Sequence, residues 1–98
     1  ESLAAQRRAD AGDRIGRAYL RFAVADRPGV LAELTAAMRD ANVSIESMIQ
    51  RGEAPGGGVL VVMTTHEGPE RNVAASLAAL AGSASLVGQP MMMPVLDV

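Results

Sequence analysis

The chain has 98 residues, enough for one domain and no more, and at that size it buries roughly 60–65% of its unfolded surface, so a core needs no staple. Cys is absent, which excludes disulfides and thiolate metal sites. The net charge of −2 comes from nine basic and eleven acidic residues, all the basic ones Arg and scattered; with only Tyr19 and Phe22 aromatic, the stacking rings and cationic groove of a nucleic-acid binder are missing.

No segment reads as a signal peptide. The longest apolar run, residues 59–63, is far short of the roughly 20 residues of a helical membrane span. No membrane association and a cytoplasmic location are the default expectations. A start at Glu1 rather than Met points to a segment of something longer.

Residues 1–16 are polar and rich in Ala and Arg. They predict a linker or a frayed helix over residues 2–11, broken by Gly12 and Gly16. Order is expected from Arg17. Leu20, Phe22 and Val24 alternate with Arg21 and Ala23, the period of a strand with one buried face. Asp26-Arg27-Pro28-Gly29 stops that strand. Leu31, Leu34, Met38 and Ala41 then recur at helical spacing, and Pro28 fits the first turn of such a helix, where its missing N–H costs nothing.

Residues 43–50 predict a second strand, with a phase shift at Met48-Ile49 that suggests a bulge. Residues 53–58 form a hairpin loop. Residues 59–65 give a third strand, apolar on both faces. Gly68-Pro69 opens a second helix carrying Val73, Leu77 and Leu80, and Gly82 suits its C-terminal cap. A fourth strand is expected within residues 89–96, at a sheet edge because of Pro94. The order β-α-β-β-α-β predicts an α+β, ferredoxin-like sandwich: a four-stranded antiparallel sheet with two helices on one face. Many unrelated functions share that fold, so a site has to decide.

Gly56-Gly57-Gly58 leads into a strand, whereas a phosphate-binding loop leads into a helix N-terminus; a flexible hairpin is the simpler reading. His66, the one histidine, has no nucleophile or metal partner in prospect and reads as a surface or interface residue. Met91-Met92-Met93 would point to alternate faces of a strand, which favours packing over metal binding.

The informative segment is Asp26-Arg27-Pro28-Gly29-Val30-Leu31. One reading is architectural: Asp26 and Pro28 start a helix, and Gly29 lets two backbones pass. The other is that Gly29 bares the N–H groups of Val30 and Leu31 to a carboxylate, assisted by the helix dipole, while Asp26 accepts an ammonium group. That would make a zwitterion receptor, in which Gly29→Ala blocks the anion yet leaves the ligand-free fold intact. The residue types alone fit both readings.

At these residues, and at Asn42-Val43-Ser44-Ile45-Glu46, the chain resembles the ACT family of small-molecule-sensing modules, over about residues 18–97 of a domain spanning 17–98. Within the family it is most similar to the C-terminal regulatory domains of bacterial homoserine dehydrogenases, through residues 44–50 and 61–67. The resemblance implies an amino-acid-sensing feedback domain that performs no chemistry itself. It implies a homodimer or higher even oligomer, with the ligand held between Asp26, Arg27, Pro28, Gly29, Val30 and Leu31 of one chain and Ser44 and Ile45 of another. Serine-sensing relatives often carry Asn where Asp26 and Ser44 stand here, which leaves the ligand's identity open, threonine being the expected effector. The implied parent enzyme is NAD(P)-dependent, with its catalytic domain and cofactor site upstream, so that no cofactor, metal or catalytic residue is expected in this chain. The alternative is an ACT-fold dimerisation domain that binds no ligand; a small enzyme of this fold is a third, poorly supported by the residues.

Overall fold

The computed structural model describes residues 14–96; the helix expected over residues 2–11 lies outside them. Strand β1 (Ile15–Val24) leads to helix α1 (Val30–Asp40), then to strands β2 (Ile45–Glu53) and β3 (Val59–Thr65). A two-residue strand β4 (Gly68–Pro69), helix α2 (Glu70–Leu80) and strand β5 (Met91–Val95) follow. All strand pairs are antiparallel. β3 lies between β2 and β1, and β5 pairs with β1. The expected four-stranded sheet is therefore present, extended by β4 against the start of β1.

β1 begins at Ile15, two residues before the expected start of order, because Ile15 and Gly16 pair with Pro69 and Gly68. The alternation in β1 does what its pattern demands: Ala18, Leu20, Phe22 and Val24 are buried. They meet Val30, Leu34 and Met38 of α1 and Val73 and Leu80 of α2 in a single core, so both helices cover the same sheet face. Ser76, also buried in α2, satisfies its hydroxyl on the Val73 carbonyl at 2.7 Å. Leu31, Ala41 and Leu77 pack at the margin of the core. Pro28 stands before α1 rather than in its first turn, since the helix starts at Val30.

The end of α1 corrects the expected start of β2. Asn42 adopts φ 60°, its N–H donates to the Arg39 carbonyl at 3.0 Å, and the Val43 N–H donates to the Met38 carbonyl at 2.8 Å. This is a Schellman closure with Asn in the left-handed position and an apolar contact from Val43 back to the helix. Val43 thus belongs to the cap, and pairing begins at Ile45. The bulge expected at Met48-Ile49 is also displaced: register shifts fall between Ile45 and Ser47 and between Arg51 and Glu53, while Met48, Ile49 and Gln50 pair regularly with Met63, Val62 and Val61.

At the other end of the β1–β3 ladder the buried Thr65 hydroxyl accepts the Ala18 N–H at 2.9 Å, taking the place of a missing ladder bond. The sheet face away from the helices carries Tyr19, Arg21, Ile49, Val62, Met91 and Met93, aligned by the registers. Met92 turns the other way, toward the core. His66 is exposed. Among the described residues no helix is long and apolar enough to cross a membrane.

Candidate functional site

β1 delivers the chain to one end of the sheet, where residues 25–29 turn over into α1. Gly29 is the N-cap, at φ 89° and ψ −13°. That left-handed geometry strains any residue with a Cβ, and nothing lies within 4 Å of where a Cβ would stand. The glycine is therefore required by backbone angle, with open space in front of it. Both the close passage of two backbones and a Gly29→Ala change without cost to the ligand-free fold are overturned by these two facts.

No side chain caps α1. The first intrahelical bond is from the Glu33 N–H to the Gly29 carbonyl at 3.0 Å, so the N–H groups of Val30, Leu31 and Ala32 stand ahead of it at the positive end of the helix dipole. They open on a cleft of about 220 Å³ lined by residues 24–32 together with Gln50, Val59 and Val61. That is below the roughly 300–1,000 Å³ of drug-sized sites and suits a small ligand. Asp26, Arg27, Pro28 and Gly29 are exposed at its rim, Val30 is buried in its wall, and Leu31 is half-buried.

Arg27, one of the lining residues, is tied to the segment after α2. Its Nη2 donates to Ser85 Oγ at 3.1 Å. Ser85 Oγ in turn donates to Glu33 Oε1 at 2.6 Å, and Ser83 Oγ donates to Glu33 Oε2 at 2.5 Å. The two hydroxyls hold the Glu33 carboxyl below its ordinary 4.5, against the opposing effect of desolvation and with help from the Arg27 charge. A ligand carboxylate would find the backbone N–H groups at the start of α1, and Asp26 supplies a carboxylate for a cation at the same rim.

Ser44 and Ile45 are not brought to this cleft. The Ser44 carbonyl accepts the His66 N–H at 2.9 Å, and Ile45 pairs with Thr65. Both lie at the end of β2 opposite the Glu53–Val59 pair that adjoins the cleft. Within one chain β2 contributes Gln50 instead. Sequence reasoning missed Gln50, although placing β2 in register with β3 would have set it opposite Val61, on the cleft side. It also missed Glu33, Ser83 and Ser85, whose separation of fifty residues leaves no local signal. Among the described residues no three His, Asp or Glu side chains gather as a metal set.

The ACT domain family model matches residues 18–82. Homoserine dehydrogenase of Neisseria gonorrhoeae is 36% identical over 62 residues, covering 63% of this chain and 14% of that protein. The Methylobacillus glycogenes enzyme of the same name is 33% identical over 72 residues, 72% of this chain and 18% of that one. Among solved structures, homoserine dehydrogenase of Thiobacillus denitrificans superposes with TM-score 0.77 at 30% identity, covering 88% of this chain and 19% of that chain. The regulatory subunit of aspartate kinase from Thermus flavus shares the fold at TM-score 0.61 and 18% identity, over 85% of this chain and 56% of that one. The chain thus spans less than a fifth of the dehydrogenases it matches. With the family model covering both helices and the loop that shapes the cleft, this chain belongs to the ACT domain family, as a regulatory rather than a catalytic unit.

Proposed function

We propose that this chain is the amino-acid-sensing domain of a homoserine dehydrogenase and that threonine is its feedback effector. The observation that carries the reading is the cleft at the uncapped start of α1, with Asp26 at its rim. A zwitterion fits that pairing: its carboxylate takes the N–H groups of Val30 and Leu31, and its ammonium group takes Asp26. Gln50 offers an amide to a side-chain hydroxyl. The likeness to the dehydrogenases supports the parent enzyme, whose NAD(P) site and catalytic residues belong to the remainder of the longer polypeptide.

The second wall comes from a second copy. β2 is an edge strand whose residues 46–53 are all exposed, Met48 and Ile49 among them. A two-fold axis pairing two such edges antiparallel sets the start of one β2 beside the end of the other. Ser44 and Ile45 of the partner subunit then approach the cleft from which this chain's own pair is remote.

Calorimetric titration with threonine, serine, methionine, lysine and isoleucine tests the reading. Threonine is expected to bind in the millimolar-to-micromolar range, as suits a ligand with so few heavy atoms. Asp26→Asn should weaken it and leave the fold intact. No heat from any of the five amino acids would leave the chain a structural dimerisation domain.

A further inference from the structure

Glu33 sits in the first turn of α1, and its carboxylate reaches a segment fifty residues further along the chain. There both serine hydroxyls donate and accept at once. Ser85 Oγ donates its proton to Glu33 (2.6 Å) and accepts from Arg27 Nη2 (3.1 Å). Ser83 Oγ donates to Glu33 (2.5 Å) and accepts the Ser85 N–H (3.1 Å). The Ser85 carbonyl accepts the Ala25 N–H at 2.8 Å, and the Val87 N–H donates to the Ala23 carbonyl at 2.8 Å. The residues on either side of Asp26 are thus both fastened to Ser85, which is itself buried. Ser83 and Ser85 fall just beyond residues 18–82, which the family model matches.

We propose that Glu33 is a positioning residue: through Ser83 and Ser85 it fixes the loop of residues 25–29, and with it the spacing between the Asp26 carboxylate and the N–H groups behind Gly29. This rests on the amino-acid-binding reading for its purpose, but the fastening of the loop is a separate matter. A ligand with two charged ends gains only when both anchors stand at the right separation, and holding them there before binding removes an ordering cost. An ionised carboxylate is the acceptor best able to hold two hydroxyls at once. Uncharged amide at the same place keeps one acceptor and loses the other.

Amide hydrogen exchange in the ligand-free chain, followed by threonine titration, tests this for Glu33→Ala and Glu33→Gln. Glu33→Ala should speed exchange of the Ala25 and Val87 N–H groups by about tenfold while the β1–β3 ladder stays protected. It should weaken threonine binding by about fivefold or more, and Glu33→Gln should recover part of both effects. Ser85→Ala, which leaves α1 untouched, is the second variant should Glu33→Ala fold poorly. Unchanged exchange at Ala25, or a rise shared by the whole ladder, overturns the proposal. So does a mobilised loop with unaltered threonine affinity. If the unmodified chain binds none of the five amino acids, the amino-acid reading fails by itself, and the exchange rates alone decide whether Glu33 fastens the loop; if it binds another of them, that one replaces threonine in the titration.

Discussion

Gly58 and Gly29 both carry positive φ, but their surroundings separate them. A Cβ on Gly29 would meet open space, whereas one on Gly58 would stand 2.4 Å from the Val24 carbonyl oxygen and 3.2 Å from Val87 Cγ2. Gly29→Ala therefore bears the conformational penalty alone, about 1–2 kcal/mol, and Gly29→Asn should recover part of it because Asn tolerates this region. Gly58→Ala adds a backbone clash and is expected to cost more than about 2 kcal/mol. Paired thermal melts of the three variants give the ranking, and Gly58→Ala melting above Gly29→Ala would refute it. Thr65 is the third informative residue. Thr65→Val keeps the volume but orphans the buried Ala18 N–H, a loss of about 1–3 kcal/mol measurable by urea denaturation. Of these roles, the sequence displays only that Gly29 is special. A run of three glycines does not reveal which one touches a neighbouring strand, and a threonine at a strand end looks like any β-former.

At the scale of elements, the network on Glu33 ties α1 to the connection between α2 and β5 and makes that tie depend on pH. The unfolded carboxyl titrates near its ordinary 4.5, and the folded one holds out its proton to lower pH. Its contribution to stability is complete above 4.5, declines as pH falls through the folded value, and is gone below it. Denaturation midpoints of the unmodified chain and of Ser83→Ala/Ser85→Ala, compared from about pH 6 to about pH 3, should differ most at the upper end and converge at the lower. The elements themselves were legible wherever apolar periodicity decides them: β1 from Leu20 to Val24, both helices, and all of β3. Errors came where a strand partner or a helix cap, and not apolar periodicity, sets the boundary. Ile15 and Gly16 are strand because Gly68–Pro69 lies beside them, and Val43 is cap because it closes on Met38.

For the whole molecule, the residues foretold the architecture, and the site they suggested was divided between two chains from the start. The loop from Asp26 to Leu31 lines a cleft, while Ser44 and Ile45 lie at the opposite end of the sheet. Within one chain the two groups stay apart, and they can meet only if a second copy supplies one of them. Dimerisation is accordingly the prediction at this scale. Light scattering at micromolar concentration should give twice the 10.1 kDa chain mass or an even multiple, and Ile49→Asp together with Met48→Asp should shift it to monomer while the core, which neither residue enters, keeps its melt. A monomer without these changes would remove the shared wall.

β2 is held by hydrogen bonds to β3 on one side only, and beyond Ile45 none of its side chains is buried. Such a strand opens at low free energy cost, and an opened, extended segment is what a protease active site accepts. Pairing with a second copy closes that route. The lifetime of this chain should then follow its assembly: an unpartnered copy is nicked within residues 45–53 and cleared, while a partnered one persists.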